Sequence, residues 1–95
     1  MSAYVIANIR ITDPVRYEEY KRLSTIAIAA YGARVCVRGG EVTVLEGDWQ
    51  PERVVVLEFA SVERAQAFYD SPQYLAARKA REHAAEMRMV VVAGA

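Results

Sequence analysis

The sequence holds one cysteine, one histidine and one tryptophan in 95 residues. A lone cysteine, Cys36, excludes an internal disulfide, and with a single histidine it falls short of the ligand set a zinc site needs. No metal and no cofactor is expected, since a haem would find only His83 as an axial ligand. Charge of one sign is missing as well. The 12 basic residues balance 12 acidic ones, and no basic run offers a footprint for nucleic acid. No apolar run approaches the roughly 20 residues of a membrane span, and the N-terminus lacks the three regions of a signal peptide. A cytoplasmic protein with neither nucleic acid nor membrane as partner is the expectation. Lysine is scarce too: ten of the 12 cations are arginine, a bias that reads as compositional rather than as planar anion recognition.

What is abundant is apolar surface, at 54% of residues. Ninety-five residues make one expected domain, spanning 1–95, and a domain this small has a modest core of its own. The period-two pattern of residues 4–11 predicts a strand, with Val5, Ala7, Ile9 and Ile11 on one face. Asp13-Pro14 is a helix start, an N-cap followed by proline at the first helical position. That helix runs to about Ala30, with Tyr17, Tyr20, Leu23 or Ser24, and Ala27 at helical spacing, and Gly32 ends it. Residues 33–38 form a second strand. Gly39-Gly40 is then either a hairpin turn or a kink, the kink preferred, within a strand that continues through Val42–Glu46. A loop over Gly47–Glu52 leads to the strongest strand, Arg53–Phe59. Ser61 caps a second helix, Ser71-Pro72 starts a third that reaches about Ala85, and Met87–Ala93 is the last strand.

Strand, helix, strand, strand, helices, strand is the split βαβ order of an α+β, ferredoxin-like fold with an antiparallel sheet. Its helices cover one sheet face. The strands, however, are apolar on both: Val54 and Val56 alternate with Val55 and Leu57, and Val90 and Val92 with Met89 and Val91. A bare apolar face is larger than soluble monomers tolerate, so a second copy is expected to cover it as a homodimer.

Several motifs resemble one family. Tyr17-x-x-Tyr20, Tyr31-Gly32, Val37-Arg38-Gly39-Gly40, Leu45-Glu46-Gly47-Asp48-Trp49, Pro51-x-Arg53-Val54-Val55-Val56, Glu58-Phe59 and Ser71-Pro72-x-Tyr74 are similar to domain of unknown function 1330, in order and over essentially the whole chain. Gly32-Ala33 departs from the family's frequent glycine pair, and Ala60 stands where proline is frequent. The resemblance implies a dimeric α+β barrel, in a superfamily with cofactor-free monooxygenases, muconolactone-type isomerases and haem-binding enzymes. It implies no reaction.

Candidate chemistry lies in polar residues within strands. If the apolar set of each strand faces the helices, Asn8, Arg10, Arg34, Cys36, Arg38 and Glu58 collect on the other face. Glu58 is then a candidate general base with a raised pKa, and Arg38 a two-pronged grip for a carboxylate. Alternatively the two pair with each other or across the dimer. Tyr17, Tyr20, Tyr69 and Tyr74, with Asn8, are candidate ligand-binding residues, and the tyrosines serve equally well as core with satisfied hydroxyls. Ser71 reads as a cap, His83 as a surface residue of the third helix, and Cys36 as a buried small hydrophobe. Trp49 either caps the dimer edge or seals a pocket mouth. The expected function is small-molecule binding, as a cofactor-free monooxygenase- or isomerase-like enzyme acting on a small aromatic or carboxylic acid. The alternative is a ligand-binding or structural homodimer without chemistry.

Overall fold

Alternation of apolar and polar side chains builds the sheet, and cap residues place the helices against it. A computed structural model describes residues 2–95. Its elements are β1 (Ala3–Ile11), α1 (Pro14–Ala30), β2 (Arg34–Arg38), β3 (Arg53–Phe59), α2 (Val62–Tyr69), α3 (Pro72–Ala80) and β4 (Ala85–Ala93). The strands form one antiparallel sheet in the order β2-β3-β1-β4, the ferredoxin-like arrangement. Each helix begins as its residues dictate. The side chains of Asp13, Ser61 and Ser71 accept from the N–H groups of Arg16, Arg64 and Tyr74 at 3.2, 3.0 and 3.1 Å, satisfying donors that the first turn leaves free.

The core lies between sheet and helices. Val5, Ala7 and Ile9 of β1 and Leu57 and Phe59 of β3 face Tyr20, Ala27, Phe68, Tyr74 and Ala77. Phe59, Phe68 and Tyr74 stack in series, with centroids 5.0 and 4.5 Å apart. Burying each such ring contributes about 1.5–3 kcal/mol. The helix layer is not evenly laid down. α1 packs closely along α3, and α2 rests on the strands. The bulk of α1 stands away from the sheet.

On the opposite face, Val37, Val56, Ile6 and Val90 line up as register partners in one row across all four strands. Val90 and Val92 there are 56% and 47% exposed, so the expected bare apolar face is present in the single chain.

Three expectations need correction. The segment Val42–Glu46 does not extend the sheet: β2 stops at Arg38, and residues 40–50 are exposed. Gly39 makes neither the hairpin nor the kink. It has φ +66°, donates its N–H to the Val54 carbonyl at 2.9 Å, and there the chain leaves the ladder. The register irregularity lies earlier, at a bulge between Val35 and Val37. This puts Cys36 in an exposed position rather than the core.

The third correction concerns α3, which ends at Ala80. His83 sits in the following turn with φ +62°, letting the Ala84 carbonyl turn back to accept from Thr12 and Asp13 N–H. A side chain in that left-handed conformation carries strain of about 1–2 kcal/mol, part of which glycine recovers. His83→Gly is expected to raise unfolding free energy by up to about 1 kcal/mol, read from urea denaturation; a loss of stability would contradict the turn geometry.

Candidate functional site

Where α1 stands off the sheet it leaves a cavity of about 350 Å³, at the small end of the roughly 300–1,000 Å³ typical of ligand pockets. Strand parity makes its floor apolar: Val5, Ala7 and Ile9 of β1, Val35 of β2, Val55 and Leu57 of β3. Its roof is polar. Tyr17, Tyr20, Lys21 and Ser24 come from α1 and Tyr74 from α3. The Tyr20 and Tyr74 hydroxyls meet at 2.7 Å. Two hydroxyls hold two protons and the mutual bond uses one, so the pair retains one donor. Burial pushes both phenols up, Tyr20 most strongly, and burial raises Tyr17 against the opposing guanidinium of Arg53. All three are neutral donors at neutral pH.

Arg38 and Arg53 also line this cavity. Strict alternation would keep Arg34, Cys36 and Arg38 on one face. The bulge at Cys36 absorbs one residue, so Arg34 pairs with Glu58 while Arg38 pairs with Val55, a cavity residue. Arg53 shares parity with Val55, Leu57 and Phe59, opposite Ile9 in the register. Its guanidinium lies against Gly39, where a built methyl carbon would be 2.6 Å from the arginine Cζ. Among the described residues no carboxylate lines this cavity.

Glu58 lies elsewhere. It projects from the open face, accepting from Arg34 Nε at 2.8 Å and from the Tyr4 hydroxyl at 3.0 Å. Those bonds, Arg34's first, hold its carboxyl below the ordinary glutamate value, which corrects the expectation of a raised pKa. Arg38 and Glu58 are on opposite faces and do not pair within the chain; Arg34 is the glutamate's partner instead. Asn8 is also on the open face, opposite Val54 and Arg88. Tyr69 is half-buried with its ring under the Arg78 guanidinium at 4.2 Å. It faces a second hollow of about 560 Å³ between α2 and β4. Of the proposed site residues, the structure therefore brings together Arg38, Tyr17, Tyr20 and Tyr74, and separates Glu58, Asn8 and Tyr69 from them. Arg53 was missed, although its place on the inward parity of β3 is visible in the sequence. Trp49 is exposed in the loop between β2 and β3. His83 is exposed, and no cluster of metal-ligating side chains forms among the described residues. No helix among them is long and apolar enough to cross a membrane.

The sheet order and the one-sided helix layer define a ferredoxin-like α+β protein with a helix–sheet cavity. Within that class, the chain belongs to the family described as domain of unknown function (DUF1330), whose model matches residues 2–95. Solved structures of similar fold include a protein of unknown function from Rhodopseudomonas palustris, 21% identical, with TM-score 0.73 over 99% of this chain and 82% of that one. A dimeric ferredoxin-like protein of unknown function from Thermobifida fusca is 20% identical, with TM-score 0.66 over 99% and 92%. SnoaB, a cofactor-independent oxygenase from Streptomyces nogalater, is 10% identical, with TM-score 0.62 over 99% and 93%. No curated protein matches the chain.

The lowered Glu58 pKa has a pH consequence. A carboxyl held below its unfolded value of 4.5 contributes stability that is full above that value and lost as pH falls through the folded one. Glu58→Gln is expected to be less stable than the wild type at pH 7 in urea denaturation, with the difference closing on acidification below the ordinary glutamate range. A difference that persists unchanged at acid pH would argue against the Arg34–Glu58–Tyr4 network.

Proposed function

We propose that this chain binds a small, largely apolar molecule in the cavity beneath α1 and works as a homodimer through its open sheet face. The observation that carries the binding reading is the cavity itself, with its apolar floor and its neutral phenol donors. Such a combination orients a planar ligand by hydrogen bonds while burying its hydrophobic body. Dimerisation is supported by the row Val37–Val56–Ile6–Val90, by exposed Val92 beside it, and by the dimeric description of the Thermobifida fusca structure. A stable interface needs roughly 800 Å² from each partner, and a four-stranded face left uncovered by helices is the natural source.

A second reading is a cofactor-free oxygenase- or isomerase-like enzyme, favoured by the description of SnoaB. Cations at the cavity suit an enolate or phenolate. However, the cavity's phenols are raised and no carboxylate reaches it among the described residues, so a proton acceptor is not supplied there. Binding is the reading this geometry supports better.

Filling the cavity from its floor tests it. With naphthol and naphthoate as probes, at least one is expected to raise the melting temperature of the wild type, and neither that of Ala7→Phe. A shift that survives in Ala7→Phe would place binding outside the cavity. For the assembly, sedimentation velocity should give a dimer for the wild type and a monomer for Val56→Lys, which sets a charge in the middle of the apolar row. A monomeric wild type at micromolar concentration would refute the dimer.

A further inference from the structure

We infer that the ligand of this cavity is an organic anion, an aromatic monocarboxylate whose headgroup is held by Arg38 and Arg53. The inference rests on the binding reading above and adds the ligand's charge. Three observations carry it. First, two arginines line one cavity from adjacent strands by different routes, the exposed Arg38 through the Cys36 bulge and the half-buried Arg53 through plain alternation. Second, neither has a carboxylate within the 4.0 Å of an ion pair among the described residues. The acids of the connecting loop, Glu41, Glu46, Asp48 and Glu52, are all exposed, and Glu52 approaches Arg10 instead. Lys21, the third cation, is already committed to Glu18 at 3.0 Å. Third, Arg53 Nε is buried and has no hydrogen-bond partner.

A buried guanidinium nitrogen without an acceptor is costly, and a second cation lining the same cavity adds to its positive field. A carboxylate between them relieves both penalties at once. The planar fork of arginine accommodates two carboxylate oxygens side by side, which a lysine pair does not. Behind the headgroup, the floor of Val55, Leu57 and Ala7 accepts an aromatic body, and the remaining donor of the Tyr20–Tyr74 pair points the ligand's far polar atom. Arg81 Nε is likewise unpartnered, but the hollow it lines also contains Asp70, so the same charge argument fails there. Gly39 has a positioning role: its missing side chain leaves the space that the Arg53 guanidinium occupies.

The test compares naphthoate with naphthamide, similar in shape and different in charge, by titration calorimetry on the 95-residue chain. Naphthoate is expected to bind the wild type and naphthamide at least about 10-fold more weakly, the scale of a charge-assisted hydrogen bond. Arg53→Gln and Arg38→Gln should each weaken naphthoate by about 10-fold or more and leave naphthamide unchanged. Arg53→Lys should recover part of the loss, and Gly39→Ala should reproduce part of it by pushing Arg53 aside. Should the arginine variants fail to fold, salt replaces them: wild-type affinity for naphthoate is expected to fall between about 0.05 and 0.5 M salt, and that for naphthamide to stay level. Equal affinity for acid and amide, or salt-independent naphthoate binding, overturns the anion assignment and leaves the cavity reading intact. Binding of neither probe overturns both.

Discussion

Side chains on a strand point to alternate faces, so a sheet with helices on one side has two chemically separate surfaces, and each polar residue belongs to one of them. In this chain that constraint is broken once, at Cys36. One extra residue in β2 sends Arg34 to the open face and Arg38 to the cavity. Every later consequence follows from that split. Glu58 finds Arg34 and Tyr4 on its own face and is removed from any chemistry beneath the helices. Arg38 is left beside Arg53 without a carboxylate partner, in a space whose other polar groups are neutral phenols, the hydroxyls of Ser24 and Thr25, and Lys21.

The cavity exists because the helix layer is divided in its attachments. α2 presses on the strands, and α1 leans on α3, so the aromatic series of Phe59, Phe68 and Tyr74 holds the two short helices while α1 bridges a gap. The Tyr20–Tyr74 hydroxyl bond at 2.7 Å ties α1 to α3 at the same point. Breaking it on one side would strand a buried hydroxyl, at a cost of about 1–3 kcal/mol. The group that shapes the cavity roof is thus also a strut between helices, and rigidity there favours a ligand that fits without rearrangement.

Much of this was legible from residue order alone. Asp13-Pro14, Ser61 and Ser71-Pro72 marked each helix start, because a cap and a proline act locally. The apolar strands on both faces announced the uncovered surface. What was not legible depended on long-range fit. A bulge has no dedicated residue type here, so Cys36 gives no sign of it, and strict alternation puts Arg38 on the wrong face in consequence. The valines of Val42–Glu46 have high strand propensity, yet propensity cannot supply a neighbouring strand, and among the described residues they have none. Helix propensity carries α3 on to about Ala85, because Arg81–Ala84 suits a helix well, yet the helix ends at Ala80. The left-handed turn at His83 is set by the need of Thr12 and Asp13 for the Ala84 carbonyl, a contact distant in sequence. Arg53 shares the inward parity of β3, yet a charged residue opening a strand is ordinarily solvated, and its guanidinium against Gly39 shows that this one turns inward.

The two surfaces share their strands but not their side chains, and this separates the open apolar face from the cavity. Val56 and Ile6 serve the open face, whereas Val55 and Ala7, their neighbours in sequence, serve the cavity floor. Substituting one set leaves the other's atoms in place, so the open face and the cavity floor can change independently as long as strand register holds. The exception is β2. Regularising the bulge with every residue retained would turn Arg38 out to the open face and bring Val37 in, altering both faces together, whereas deleting Cys36 would keep Arg38 on the cavity side. The position of Cys36 is for that reason the point in the sheet where the open face and the cavity are coupled through the backbone.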